Sequence, residues 1–142
     1  MKNCLVDSIS NLKSKPFSGF SVKYLKIPKR WPVSISHENI YKNGKAVPFF
    51  AHKKTAEFVY VIRGKAKAYL GNKIIDVSGG DYLLIPPGIK HRFVTGRKPL
   101  VALSVFCPSM TLDNLDAVMC KSGGNKKRNS SGKLKRLPVQ NK

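Results

Sequence analysis

The stretch GDYLLIPPGIKH, residues 80–91, decides the fold of this chain. Its centre is a short apolar run that ends at two prolines and a glycine, and His91 opens the next apolar run directly after this turn. Short runs of Val, Ile, Leu, Tyr and Phe between Gly and Pro breaks are typical of β-strands. The stretch therefore predicts a strand, a tight turn and a second strand that begins at a histidine.

The same pattern continues on both sides of this stretch. Short runs rich in β-branched and aromatic residues are bounded by Gly, Pro or Asn, without a long helical periodicity between them. The predicted strands are Ser34–Ile40, Phe58–Ile62, Lys65–Leu70, Lys73–Val77, Tyr82–Ile85, His91–Val94 and Leu100–Phe106. Gly71-Asn72 joins two of them as a two-residue hairpin signal. Short strands at short intervals predict an antiparallel sandwich or barrel.

The 142 residues suffice for one domain of ordinary size. Residues 1–33 are predicted to be a lead-in segment with a short helix and the first strands, and residues 34–108 the barrel core. Apolar residues at helical spacing within residues 109–120 predict a closing helix or turn. Residues 121–142 are rich in Lys, Ser, Gly and Asn, and we expect them to be disordered because they bury too little apolar surface to offset their ordering entropy.

The charge of the chain is unusually positive. It has 27 Lys and Arg against seven acidic residues, which gives a net charge of +20. Residues 121–142 contain eight of the basic residues and no acid, so they contribute +8 and the rest of the chain +12. A field of this sign attracts polyanions, and the basic tail is a candidate for non-specific contact with them. The alternative is that the tail only increases solubility.

Cysteine usage and hydropathy indicate the compartment. Cys4, Cys107 and Cys120 are odd in number and have no metal-binding spacing, and no apolar run reaches the roughly 18 residues of a membrane span. The beginning of the sequence has no secretory apolar region. We therefore expect a reduced, cytoplasmic protein without a membrane span.

Three side chains can bind a divalent metal together: His52, Glu57 and His91. His52 lies five residues before Glu57, which stands at the start of one predicted strand, and His91 begins a later one. Two imidazoles and one carboxylate with open positions suit Fe, Mn, Ni or Zn. Without further context, each histidine is more often a surface or hydrogen-bonded residue than a ligand. The alternative for Glu57 is an edge residue paired with Lys53 or Lys54.

Two segments of the chain resemble the motifs of the cupin superfamily. Residues 52–64, His52 to Glu57 followed by six residues and a glycine, are similar to the first motif, G-x5-H-x-H-x3–4-E-x6-G. Residues 80–91 are similar to the second, G-x5-P-x-G-x2-H-x3-N, and the resemblance extends over residues 34–108. It implies an all-β, antiparallel cupin-type barrel of the jelly-roll kind, a metal site at His52, Glu57 and His91, and a homodimer.

The chain departs from the first motif at one ligand. Phe50 stands where the family has its first histidine, while Gly44 stands at the expected opening glycine and Thr95 replaces the asparagine that ends the second motif. Three ligands can still hold a catalytic metal, but an inward Phe50 would weaken binding and favour an apolar ligand.

Two functions follow from these residues. The first is a metal-dependent enzyme for a small molecule, of oxygenase, isomerase or epimerase type, with Glu57 as ligand or general base. The second is a non-catalytic sensor or store that binds a sugar-like or apolar ligand without metal. Phe50, Tyr60 and Tyr82 are predicted pocket residues, with cross-strand packing as the alternative for the two tyrosines. His37 is interpreted as a solvated residue at the end of a strand.

Overall fold

The structure is a computed structural model that describes residues 4–43, 47–111 and 114–120. These residues form eleven β-strands, numbered in chain order, and one 3-10 turn at Ile9–Asn11. None of the helices among these residues is long and apolar enough to cross a membrane. Two antiparallel sheets pack against each other and enclose the core, which is the predicted barrel architecture.

Each sheet combines strands that are distant in the sequence. Sheet A has six strands, in the spatial order β1 (Lys15–Phe17), β2 (Phe20–Tyr24), β3 (Ser34–Ile40), β10 (Leu100–Cys107), β5 (Ala56–Arg63) and β8 (Tyr82–Ile85). Sheet B has five, in the order β11 (Ala117–Cys120), β4 (Phe49–His52), β9 (His91–Thr95), β6 (Lys65–Leu70) and β7 (Lys73–Ser78).

All seven strands predicted from residue 34 to 106 are confirmed, with bounds that differ by at most two residues. The hairpin at Gly71-Asn72 is also present, since Leu70 pairs with Lys73. Strand β4 was not predicted, because it is only four residues long and follows directly on Pro48. The predicted disorder of residues 121–142 and the match at Gly44 lie outside the described residues.

The closing segment differs from the helix that its apolar spacing suggested. The amide of Asn114 donates to the carbonyl of Thr111, so the chain turns there, as the alternative prediction allowed. Residues Ala117–Cys120 then form β11, which pairs with β4 in an antiparallel register. The exposed edge of β4 determines this outcome, because pairing satisfies backbone groups that would otherwise lack partners.

The core lies between the sheets, and three of its residues, Ile40, Val47 and Phe93, also line the cavity described below. Alternate residues of β5, Val59 and Val61, are completely buried, and the neighbouring strands contribute Ile85 and Leu100. Such alternation follows from the two-residue period of a strand, which sends successive side chains to opposite faces of the sheet. The inward face of β5 therefore supplies both core residues and, at Glu57, a residue of the candidate site.

Gly64, the last residue of the first motif, is required by backbone geometry. Its φ of +93° is unfavourable for residues with a side chain, and a Cβ at this position would overlap the carbonyl oxygen of Pro99. Its own carbonyl accepts a hydrogen bond of 3.1 Å from the amide of Gly79. Gly64 thus links β5 to β6, the change from sheet A to sheet B, and has a structural role.

Candidate metal centre and ligand cavity

A cavity of about 520 Å³ opens between the sheets. Its walls are largely apolar and include Phe20, Phe50, Phe93 and Phe106. Its polar lining residues include Tyr24, Glu38, His52, Glu57 and His91. An apolar pocket of this size with a few convergent polar groups is the usual form of a small-molecule site.

The three predicted metal ligands come together at the buried end of this cavity. His52 ends β4, Glu57 lies near the start of β5, and His91 begins β9. Each is at least 94% buried, and one possible ligand atom from each lies within 4.8 Å of the other two. Two sheets contribute to the cluster, so only the closed barrel brings it together.

Hydrogen bonding within the cluster places one carboxylate oxygen between two imidazoles. Oε2 of Glu57 lies 3.2 Å from Nε2 of His52 and 3.2 Å from Nε2 of His91. The other ring nitrogen of His91, Nδ1, is 2.8 Å from the carbonyl oxygen of Ile89; since a carbonyl only accepts, Nδ1 carries a proton. The lone pairs of the two Nε2 atoms and of Oε2 therefore point toward each other, which is stable only with protons or a cation between them. This donor set fits a metal ion.

The electrostatics of the cluster agree with this geometry. Burial alone would raise the pKa of Glu57, but hydrogen bonds from His52 and His91 outweigh it and lower the pKa to about 2. Burial alone would lower the pKa of His91, but its hydrogen bond to Glu57 outweighs burial and raises the pKa of the imidazole above its usual value. Positive charge at this point is therefore stabilised by the Glu57 carboxylate.

Two backbone contacts position His52 and the loop that follows it. The amide of Gly88, which has a φ of +83°, donates a 2.7 Å hydrogen bond to the carbonyl of His52. The carboxylate of Asp116 accepts hydrogen bonds from the amides of Lys54 and Thr55, at 2.7 and 2.8 Å. The hydrogen bond from the Lys54 amide is the main reason that the pKa of Asp116 is lowered, although burial opposes the shift. Both motifs and the closing segment thus hold the loop between the first two ligands.

Phe50 lies inside the cavity, at the place where a fourth ligand was expected. It pairs with His91 across β4 and β9, and its ring meets that of Phe20 edge to face at 6.1 Å. The side chain therefore presents apolar surface beside the three ligands. His37 does not replace the missing ligand, because it lies on β3 between Ser36 and Glu38, whose side chains face inward, and it does not line the cavity.

The prediction that Tyr60 and Tyr82 line the pocket is wrong. Both lie on the outside of sheet A, where they pair across β5 and β8 and are 42% and 70% exposed. The period of the strand explains the error: Glu57 faces inward, so Tyr60, three positions later, faces outward. The alternative interpretation, cross-strand packing, is the correct one.

Glu38 is a second carboxylate of the cavity that the sequence did not reveal. It lies on β3, and its Oε1 atom accepts a 2.8 Å hydrogen bond from the hydroxyl of Ser36. Burial, together with the charge of Glu57, raises the pKa of Glu38 to about 7, although the Ser36 hydrogen bond opposes the shift. The sequence offers one sign of this role: Glu38 lies at an even spacing from Ser34, Ser36 and Ile40, which puts all four side chains on the inward side of β3.

Tyr24 adds a hydroxyl to the same wall. It pairs with Ser36 across β2 and β3 and lines the cavity. Burial, followed by the charges of Glu38 and Glu57, raises its pKa to about 12, so the phenol keeps its proton. The cavity therefore contains a hydrogen-bond donor and two carboxylates of very different proton affinity.

Comparison with known proteins agrees with the motifs. A family model described as the cupin domain matches residues 37–106. No curated protein sequence matches the chain. The barrel and this match show that residues 37–106 are a cupin domain.

Solved structures resemble the chain in fold at low sequence identity. A variant of PAC13 from Streptomyces with uridine has a TM-score of 0.70 and 11% identity, over 83% of this chain and 91% of that one. Ectoine synthase from P. lautus has a TM-score of 0.67 and 16% identity, over 91% and 99%. KdgF from Halomonas sp. has a TM-score of 0.64 and 18% identity, over 75% and 94%.

Proposed function

We propose that the chain is a small-molecule enzyme whose cavity holds a divalent metal at His52, Glu57 and His91. The single observation that carries the proposal is the convergence of two imidazole nitrogens and one carboxylate oxygen at the buried end of the cavity. This ligand set suits Fe, Mn, Ni or Zn. Held by these three residues, the ion would supply Lewis-acid or redox chemistry, which covers reactions of isomerase, epimerase and oxygenase type.

The second carboxylate favours the isomerase and epimerase types, in which a carbon atom loses a proton and regains it. Glu38 lines the same cavity as the three ligands, and a pKa of about 7 lets it accept and return a proton near neutral pH. Glu57, with a pKa of about 2, is engaged by both imidazoles. We therefore assign metal binding to Glu57 and proton transfer to Glu38. Glu57 then keeps its role as a ligand, and Glu38 takes the role of general base.

The structural neighbours support an enzyme without selecting its reaction. PAC13 is described as a nucleoside dehydratase, and another neighbour is an ectoine synthase. One fold supports many chemistries, so the choice of reaction depends on the residues in the cavity.

The metal proposal is tested by plasma mass spectrometry on tag-free protein. We expect near-stoichiometric Fe, Mn, Ni or Zn in the parent chain and none in the His52→Ala, His91→Ala double variant. His37→Ala is the matched control, since it removes a histidine outside the cavity, and it keeps its metal. A parent chain that stays metal-free after incubation with each of the four ions contradicts the proposal.

The role of Glu38 is tested by proton exchange. The metal-loaded chain is incubated in D₂O with a panel of 2-hydroxy ketones and reducing sugars, and loss of carbon-bound protons is followed by NMR. We expect exchange with the parent, and a rate at least ~100-fold lower with Glu38→Gln at unchanged metal content. Equal rates in the two proteins would exclude Glu38 as the proton-transfer group.

Phe50 favours a second candidate, a binding protein that takes a small apolar or sugar-like ligand without metal. Its ring lies in the cavity beside the ligand cluster, next to that of Phe20. The two candidates differ in their response to a chelator. Equal ligand affinity before and after treatment with EDTA supports the binding protein, whereas loss of affinity supports the metal enzyme.

The basic tail supplies a further contact in this proposal, to polyanions. Residues 121–142 have a charge of +8, and such segments bind polyanions by counterion release. Removal of the tail after Cys120 should lower the salt concentration at which the chain elutes from heparin, since residues 1–120 keep a charge of +12. A cytoplasmic location stays a prediction, in keeping with three free cysteines.

A further inference from the structure

A row of planar side chains lies on the outside of sheet B. Phe49 on β4, Arg92 on β9 and Tyr69 on β6 are neighbours across these three strands. The central carbon of the Arg92 guanidinium, Cζ, lies 4.3 Å from the centre of the Phe49 ring and 4.9 Å from that of the Tyr69 ring. The outward direction follows from the strand period, because the adjacent residues Phe50 and His91 face the cavity. We call Phe49, Arg92 and Tyr69 the planar row.

A groove of about 630 Å³ continues the planar row along the same side of the sheet. Lys65, Lys67 and Val94 contribute to its walls. Alternate residues of a strand share a face, so Lys67 is the next outward residue to Tyr69 on β6, and Val94 is the next to Arg92 on β9. Both lysines are exposed, and their Cα atoms are about 7 Å apart along β6. We call the planar row together with Lys65 and Lys67 the basic face.

The charge of the basic face is only partly neutralised by acidic residues. Lys67 forms an exposed ion pair of 2.9 Å with Asp76 on the adjacent strand β7. Neither Lys65 nor Arg92 has a carboxylate at ion-pair distance within the part of the chain that the structure describes. The Arg92 guanidinium is instead held by two rings, and its Nε atom has no hydrogen-bond acceptor among the described residues. Its charge is therefore available to an anion.

We propose that the basic face binds single-stranded nucleic acid. The phosphate groups contact Lys65 and Lys67, and a base stacks on the planar row, since bases stack on aromatic rings and on arginine guanidinium planes. An acidic membrane or an acidic protein needs only the positive charge. The planar groups beside the lysines favour nucleic acid, which combines negative charge with flat, apolar bases.

The position of β11 supports the same partner. This strand ends at Cys120, which pairs with Phe49 of the planar row. Residues 121–142, with a charge of +8, follow directly in the sequence, so the basic tail begins beside the basic face. The inference goes beyond the tail contact proposed above, because it assigns a site in the folded domain that keeps its residues when the tail is removed.

The experiment is fluorescence anisotropy of the full chain with a labelled oligouridylate of about 12 nucleotides, in roughly 0.1 M salt. We expect a dissociation constant at least ~10-fold higher for the Lys65→Glu, Lys67→Glu double variant. Lys29→Glu, Arg30→Glu is the matched control: it makes the same change in charge at two exposed residues between β2 and β3 of sheet A, and its dissociation constant stays within ~3-fold of the parent's. An oligodeoxythymidylate of equal length distinguishes RNA from DNA as the source of the strand.

The salt dependence counts the phosphate contacts. The plot of log Kd against log salt concentration should be less steep by about 1.4 in the Lys65→Glu, Lys67→Glu double variant, because each lost contact to a single strand contributes about 0.7. Arg92→Lys tests the planar row, since it keeps the charge and removes the guanidinium plane. We expect it to weaken oligonucleotide binding at least ~3-fold and to leave the binding of inorganic polyphosphate, which has no bases, unchanged.

Three results overturn the proposal. They are a parent chain that does not bind either oligonucleotide, equal losses in the two double variants, and an Arg92→Lys variant that loses affinity for polyphosphate as much as for the oligonucleotides. The tail stays in place in every variant, and its removal is measured separately on heparin. Metal content is measured on the same samples, so failure of the basic face, of the tail contact and of the metal site are recorded independently.

Discussion

The two sides of sheet A have the opposite of the usual polarity near the cavity. The inward side carries Glu38, Glu57 and Ser36, whereas the outward side carries Tyr82 and Leu84. A buried polar group is costly unless it is hydrogen-bonded, and an exposed apolar group forgoes the stability of burial. The inner side thus offers polar groups to the ligand proposed above, whereas the outer side leaves apolar side chains exposed.

The largest expected effect separates the two inner carboxylates. Glu57→Gln should lower metal affinity at least ~100-fold, because it removes the charged ligand between two imidazoles. Glu38→Gln should leave metal affinity within a few-fold of the parent, since Glu38 is not one of the three converging residues. Isothermal titration calorimetry of the metal-free proteins with Zn measures both affinities. Equal losses in the two variants would mean that Glu38 also binds the ion.

The next effect is on stability and compares two leucines that lie on opposite sides of strand β8. Leu83 is 8% exposed and Leu84 68% exposed, and they are neighbours on β8. Leu83→Ala should lower the free energy of unfolding by about 2–4 kcal/mol through a core cavity, and Leu84→Ala by less than about 1 kcal/mol. Urea denaturation at low protein concentration measures both. Similar losses would show that Leu84 contributes to the stability of the single chain.

A smaller effect concerns Glu38 and pH. Its folded pKa, about 7, lies above the ordinary 4.5, so the folded state loses stability as pH rises from 4.5 to about 7, and the loss persists at higher pH. This pKa shift corresponds to a loss of at most about 3 kcal/mol in the free energy of unfolding. The actual loss is smaller, because Glu38 faces the cavity. Glu38→Gln should therefore be more stable than the parent at pH 8 and similar to it at pH 4.5. Urea denaturation of the two metal-free proteins across this pH range measures the difference in their free energies of unfolding. A difference that does not change with pH contradicts the raised pKa of Glu38.

The smallest effect sharpens the role of Ser36. Its hydroxyl stabilises the Glu38 carboxylate and so opposes the rise in pKa. Ser36→Ala should move the pH at which stability declines upward by less than about one unit. The same urea series measures it, with Ser21→Ala as a control on a half-buried serine outside the cavity lining. A downward shift would show that Ser36 does not donate to the charged form.

Sequence reasoning located the site because the motif residues depend on local geometry. Gly88 must adopt a positive φ to turn the chain and bond to His52, and Gly64 must lack a side chain beside Pro99. Requirements of this kind leave a fixed spacing in the sequence. Glu38 had no such mark: its importance comes from burial and from Glu57, which lies in a different part of the chain.

The errors have the same origin. Residue type alone does not tell which side of β5 faces the cavity. In the folded chain Glu57 faces inward, so Tyr60 faces outward, and Tyr82 lies on the same outer side because it pairs with Tyr60. The closing segment had helical spacing, yet the free edge of β4 made it a strand. Local preference was weaker than tertiary pairing in both cases.

By itself the sequence determined the seven strands from residue 34 to 106, the turns between them, the three residues of the candidate metal site and the charge, since these depend on residue type and spacing along the chain. Only the tertiary structure decided which residues share the cavity, that Phe50 lies beside His52 and His91, and that Tyr82 and Leu84 are exposed on the outside of sheet A. The reason is physical: burial, proton affinity and surface polarity depend on neighbours that the folded chain brings together from distant positions.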